Sequence, residues 1–247
     1  MRNLLALTVR EWKAFWYSPI AYVVGGFFFL LQGMVFWLLV AALNNPVADA
    51  SWTIGQAFFG TFFFWMSVLV MAPLLTMRCF SEEKRTGTIE VLLSAPVTDW
   101  QVVGAKFFGA WLSYSALWAG TMVYFLMIRF YAVIDWGPLA TGYLGTVLMG
   151  AALISVGILA SSLTRNQVIA AVMGFVLMLL LFFIGFLESF VTSPDSRQIV
   201  QYLSLLEHFR DFSRGILDTR PIVFYLSVSA IALFVTIRAI GNPRWRA

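Results

Sequence analysis

Hydrophobic and polar positions along this chain fall into long blocks rather than short alternations. Six stretches contain no charged residue, at 20–43, 54–77, 107–128, 139–163, 168–187 and 222–237. A helix needs about 20 apolar residues to cross the hydrocarbon core of a bilayer, so each block predicts a membrane-spanning helix. The last block is short and is expected to rely on Arg238 reaching back to the interface. Period-two alternation is missing, and backbone groups in lipid have to be satisfied within the segment, which leaves helices. Ahead of the first block, Leu5, Val9, Trp12 and Trp16 recur at helical spacing beside Arg10 and Lys13. That stripe predicts a helix lying in the membrane interface. It does not read as a cleavable leader, because the apolar run from Leu4 to Val9 is too short and charges interrupt it. A second stripe, Leu205, Phe209, Phe212 and Ile216, runs beside Glu207, Arg210, Asp211 and Arg214, with Gly215 near its end. It predicts an amphipathic helix at the outer surface, or partly dipping into it, before the last span.

Composition agrees with a membrane class. The chain is 61% hydrophobic and 11% charged, with a mean hydropathy of +0.85, well outside the range of soluble domains. No linker or low-complexity run divides residues 1–247, which predicts a single transmembrane domain. Net charge is +4, but the basic residues cluster at block ends, so they speak for topology and against nucleic-acid binding. With the N-terminus inside, eleven Lys and Arg fall in cytoplasmic segments and five in outer ones, four of these in the last outer loop. Both termini are therefore expected in the cytoplasm.

Chemistry is sparse. The blocks hold no Asp, Glu, His, Lys or Arg, which argues against a proton-coupled transporter, because such groups are costly in a membrane and are kept where they work. There is no Gly-x-x-x-x-Gly-Lys-Ser/Thr loop to cradle ATP, so any driving force must come from a partner. Small residues recur at four-residue spacing in Ala105, Gly109 and Ser113, in Ala151 and Ser155, and in Gly157 and Ser161. These serve packing among helices of one subunit, or else a dimer seam or translocation wall. The lone Cys79 excludes an intrachain disulfide. His208 and Asp211 are the one combination that resembles a catalytic pair. A single His with no further ligands makes neither a metal site nor a triad, and both are read as interfacial charges.

Between the second and third blocks lies a charged island, Glu82-Glu83-Lys84-Arg85-Thr86-Gly87-Thr88-Ile89-Glu90, followed by Leu92, Leu93 and Pro96. Gly87 can end one helix and open another, with Glu90 near the new N-terminus. Ile89, Leu92 and Leu93 form an apolar face that Pro96 stops. By itself such an island can be a solvated turn that fixes topology. Thr164 with Gln167 fits a capping box opening the fifth span.

The acidic pair, basic pair and Gly-Thr-Ile-Glu run resemble the segment joining the second and third helices of ABC-2 type transporter permeases. The pattern is most similar to permeases of the gliding-motility type. Residues 161–171 and 202–226 lend the resemblance support. It implies a membrane permease subunit of an ABC exporter that couples ATP hydrolysis on a separate ATPase to export or mechanical work. It also implies that Glu82, Glu83, Lys84, Arg85, Gly87, Thr88, Ile89, Glu90 and Leu93 form a cytoplasmic coupling helix. ATP and Mg would be held by the ATPase, with no catalytic residue, cofactor or metal on this chain. The other implied partners are a second permease subunit, identical or related, and the lipid bilayer of the inner membrane. The resemblance leaves room for a periplasmic or membrane accessory protein. Two rival classes stand beside it: a lipid-modifying membrane enzyme using His208 and Asp211, and a secondary transporter or channel.

Overall fold

In the computed structural model, residues 2–44, 53–89, 97–187 and 193–241 are described, and among them the chain is helical with no strand. Among the described residues twelve helices follow one another: α1 (Arg2–Trp16), α2 (Pro19–Leu43), α3 (Ile54–Phe59), α4 (Phe62–Thr76), α5 (Ser81–Thr86), α6 (Asp99–Gly120), α7 (Met122–Ile128), α8 (Trp136–Ser162), α9 (Gln167–Leu187), α10 (Pro194–Leu203), α11 (Leu205–Ser213) and α12 (Thr219–Gly241). Six spans are long and apolar enough to cross a membrane, beginning at Pro19, Phe62, Asp99, Trp136, Gln167 and Thr219. The protein is an all-α integral membrane protein, as the block pattern predicts.

Three expected boundaries move, each for a local reason. The second block is not one helix. Thr53 and Gln56 form a capping box around α3, which ends at Gly60, and the Thr61 hydroxyl accepts from Phe64 N at 3.3 Å to start α4. The third span begins at Asp99 rather than at 107, with Gln101 Oε1 accepting from Thr98 N at 3.2 Å. It therefore takes in Lys106, which the block pattern had left outside. The sixth span, α12, is longer than its apolar run, with Arg220 and Arg238 inside its ends. Arg238 lies 5.1 Å from the Phe234 ring.

Helix α8 is the axis of the bundle. Its most apolar window is 78% buried, against 17–50% for the other spans, and α4, α6, α9, α11 and α12 all pack on it. It manages this with small residues. A Cβ at Gly150 would meet the Tyr114 ring at 2.2 Å, and one at Gly157 would meet Thr76 Oγ1 at the same distance. The small-residue repeats that include Gly109 and Gly157 thus serve packing inside one subunit. Toward the end of the bundle that carries α3 and α11, aromatic rings fill the core. Phe58, Phe64 and Trp118 are buried together, and Phe209 stacks on Phe64 with centroids 5.4 Å apart. Polar bonds also cross the apolar interior, among them Gln32 Nε2 on α2 to Ser67 Oγ on α4 at 2.6 Å, and Thr121 Oγ1 with Tyr143 OH at 2.6 Å.

The two amphipathic stripes behave differently. On α1 the first three residues of the stripe, Leu5, Val9 and Trp12, are exposed, while Trp16 packs against the core and Thr8 and Glu11 turn inward onto α6. An apolar outer face is what an interfacial helix offers to lipid. The second stripe lies on one short helix, α11, preceded by a separate helix, α10. Ser204 breaks them and caps α11, accepting from Glu207 N at 3.2 Å. Leu205, Phe209 and Phe212 are buried among the ends of α8, α9 and α12, and Ile216 lies beyond the helix and is exposed.

Gly150→Val is expected to destabilise the protein by about 1–3 kcal/mol through overpacking against Tyr114. Gly26→Val, where nothing lies within 4 Å of the added Cβ, is expected to be near neutral. Thermal unfolding of both variants in one detergent checks the contrast.

Candidate functional site

The charged island is built into a corner of the bundle. Met77–Phe80 turns the chain out of α4, and two successive amides at the start of α5, Phe80 N and Ser81 N, donate to Ser161 Oγ at 3.1 and 3.2 Å. The same hydroxyl donates to Met77 O at 3.1 Å, so one buried serine near the end of α8 satisfies three backbone groups at the turn. Ser81 Oγ also donates to Met77 O. Lys84 Nζ donates to Ser162 O at 2.5 Å, a second tie to the last turn of α8. Gly87 has φ +73°, a left-handed conformation that ends α5, and helical backbone resumes at Thr88–Ile89.

The strongest electrostatic feature is Lys106 on α6, which is 4% exposed. Its Nζ lies 2.6 Å from Glu83 Oε1 on α5 and 3.5 Å from Glu11 Oε2 on α1, and 5.1 Å from the centroid of the Phe80 ring. An isolated buried ammonium would cost several kcal/mol, so two carboxylates and an aromatic face are what make its burial tolerable. Arg10 Nη2, 3.0 Å from Glu11 Oε1, balances the extra carboxylate from the solvent side. Close approach of the helices makes the triad reachable, since a Cβ at Gly109 would sit 2.9 Å from Glu11 Cβ and 3.3 Å from Trp12 N. The triad fastens three segments remote in sequence to one point.

Most of the residues singled out from the sequence converge here, in distinct environments. Glu83 and Lys84 point into the bundle, and Glu82 pairs loosely with Arg78 at 3.9 Å. Arg85, Thr86, Gly87 and Thr88 are exposed, and Ile89 is partly buried against the core. Glu90, Leu93 and the rest of residues 90–96 lie outside the described residues. Arg85 and the α8–α9 turn, with Thr164, Arg165, Asn166 and Gln167, line a basic hollow of about 390 Å³.

The expected capping box at Thr164 does not form. Asn166 caps α9 instead, its Oδ1 accepting from Val168 N at 2.9 Å, while Thr164 Oγ1 accepts only from Asn166 N. The helix starts two residues later than the Thr164 motif requires. His208 is buried rather than interfacial. Its Nε2 lies 3.0 Å from Tyr202 O and its ring 4.4 Å from that of Phe224, so it is engaged with a carbonyl and a phenyl ring. The arrangement gives no support to a catalytic pairing with Asp211. Of the residues that matter most at the corner, Lys106 was read from the sequence only as a topology charge and Glu11 only as a charge interrupting the N-terminal apolar run. The one signal available was a Lys beside the Ala105–Gly109 small-residue step, where a neighbouring helix comes close.

At the opposite end of the bundle a larger cleft of about 650 Å³ lies between α3–α4 and α11, floored by Phe59, Trp65 and Phe209 and edged by Glu207, Arg210 and Arg214.

Six spans on a small-residue axis, with a charged helix folded into the corner between the second and third, define a polytopic membrane protein of a transporter type. Residues 44–209 match the ABC-2 family transporter proteins, and the chain belongs to that family. It is also similar to the probable multidrug ABC transporter permease YbhR of Escherichia coli, in strain K12 and in O157:H7 alike. Identity is 27% over 180 residues, covering 72% of this chain and 47% of the relative. The chain thus spans about half the length of the curated relatives it matches. The ABC-2 permease resemblance stands; neither match singles out the gliding-motility branch.

Lys106→Met is expected to destabilise the fold by about 2–3 kcal/mol. That is below the full range for breaking a buried pair, because Glu11 and Glu83 keep some solvent contact. Adding Glu83→Gln to Lys106→Met is expected to recover part of the loss by removing a stranded carboxylate. Denaturation midpoints of the two single variants, the double variant and the parent make the cycle. Strictly additive losses would mean that the two side chains are not coupled.

Proposed function

We propose that this protein is the permease subunit of an ABC exporter in the inner membrane, with both termini cytoplasmic. A separate ATPase holding ATP and Mg drives it, and a second permease, identical or related, completes the membrane unit. The observation that carries this reading is the two-sided character of α5. One side is bonded to α8 through Ser161 and Ser162 and to α6 and α1 through Lys106. The other presents Arg85, Thr86, Gly87 and Thr88 to solvent.

A body pressing on the exposed side displaces α5. The buried bonds pass that displacement to three helices, because packed cores shift between discrete arrangements rather than deforming smoothly. The basic hollow beside Arg85 and Arg165 suits an acidic rim on the ATPase. The cleft edged by Arg210 and Arg214 supports an outer opening at the far end. Because the curated relatives are described as probable multidrug permeases, drug-like amphiphiles are the class to assay first.

Orientation is tested with single thiols. In a Cys79→Ser background, Thr88→Cys, exposed beyond α5, is expected to react with a membrane-impermeant maleimide in inside-out vesicles and not in intact cells. Phe130→Cys, 85% exposed in the α7–α8 connection, is expected to show the reverse. The opposite pattern would invert the topology.

Coupling is tested with Glu83→Lys and Gly87→Pro. The first sets a like charge against Lys106, where contact of like charges costs several kcal/mol. The second cannot adopt the positive φ of Gly87 and restricts Thr86 as well. Both are expected to lower substrate-stimulated ATP hydrolysis at least tenfold in vesicles containing the ATPase, with membrane insertion unchanged. Parental hydrolysis and transport in both variants would remove α5 from the mechanism.

A further inference from the structure

Between α1, the start of α2, the α4–α5 corner and α6 lies a cavity of about 240 Å³ whose walls are divided by polarity. Phe15, Ile20 and Leu74 form one side, and Glu11, Arg78, Glu82, Glu83 and Lys106 the other. Two of these side chains have unused capacity. Arg78 Nε and Glu83 Oε2 are both buried without a hydrogen-bond partner. The first is 3.9 Å from Glu82 Oε2, beyond bonding distance, while the second is the free oxygen of the carboxylate that holds Lys106 through its other oxygen. Arg78 is already oriented by a bond from its Nη1 to Ser18 Oγ at 3.4 Å, at the N-cap of α2. Orphaned buried groups of this kind cost about 1–3 kcal/mol each, so a donor and an acceptor left open around one cavity call for a ligand that answers both.

We propose that this cavity binds an aminophospholipid headgroup, with its phosphate on Arg78, its primary ammonium on Glu83 and its chains lying along the membrane. The ammonium satisfies the open carboxylate oxygen, and the phosphate accepts from the guanidinium. The volume matches about eight waters of liquid, enough for a phosphoethanolamine group and not for acyl chains. The Ser18–Ile20 wall leads directly into the exposed apolar face of α2 at Tyr22 and Val23, along which chains can lie. A choline headgroup fits worse, since its ammonium has no N–H to give Glu83, and a glycerol headgroup brings no cation at all. The site needs no ATPase and is tested on the isolated chain.

The experiment is thermal unfolding of the detergent-purified protein titrated with short-chain phosphatidylethanolamine, phosphatidylcholine and phosphatidylglycerol. Ligand that binds only the folded state raises the midpoint with concentration. The ethanolamine lipid is expected to raise it by a few degrees and saturably, the other two much less. Arg78→Gln and Glu83→Gln are each expected to abolish that difference. Arg78 is partly exposed and carries no buried pair, so its variant keeps the fold should Glu83→Gln weaken it. Equal rises with all three lipids, or no rise with any, would overturn the proposal, the latter leaving the cavity to water. A glycerol lipid that matches the ethanolamine one and loses its effect in Arg78→Gln would reduce the site to an anion contact and overturn the ammonium assignment. A difference between lipids that survives both substitutions would move the binding elsewhere and likewise overturn it.

Discussion

Burying a lysine is the constraint on which this corner of the molecule depends. Lys106 lies eight residues into a membrane helix, and the fold has to bring it carboxylates from elsewhere in the sequence or leave the charge stranded. Glu83 and Glu11 come from the short helix α5 that follows α4 and from a helix before the first span. Meeting that requirement fixes how far α1 can travel over α6, and it holds α5 inward although α5 is only six residues long and could not persist alone. Leu5, Val9 and Trp12 of α1 then face outward because the opposite side is occupied by Glu11.

The second constraint is proximity. Helices in lipid gain little from the hydrophobic effect against one another, so contact area and hydrogen bonds carry association. Helix α8 meets this with glycines and alanines wherever a neighbour crosses. Bulk is supplied from the other side by Tyr114 and Phe59 against Gly150 and Gly142. At its two ends the same helix changes role. Thr141 Oγ1 donates to Phe212 O at 2.7 Å near one end, and Ser161 gathers the α4–α5 turn near the other.

The helical class, the six blocks and the charged island were legible in the sequence, because hydropathy reports what lipid demands and charges mark where it ends. What could not be read were interruptions set by a single hydroxyl or amide. Thr61 caps a helix inside what looked like one element, Ser204 caps α11 immediately ahead of its apolar stripe, and Asn166 caps α9 two residues beyond the expected cap. A side-chain oxygen competes for backbone amides locally and leaves almost no trace in a window average. The partners of Lys106 were hidden for another reason. Residues 11, 83 and 106 share no period, and only the tertiary crossing at Gly109 brings the first to the third. His208 misled in the opposite way, since a titratable residue on an amphipathic stripe looks solvent-facing until its ring is found against Phe224.

The bonds at the ends of α8 have a mechanical corollary. Thr141 and Ser161 are twenty residues apart on one continuous helix, a stiff rod of about 30 Å between its two fastenings. Tilting such a rod by about 5° around its centre carries each end about 1.3 Å in opposite directions. That is comparable to the one- to two-ångström helix shifts by which interfaces elsewhere switch state. A push at the Ser161 end is therefore felt as a pull on Phe212, with the glycine-lined middle serving as fulcrum.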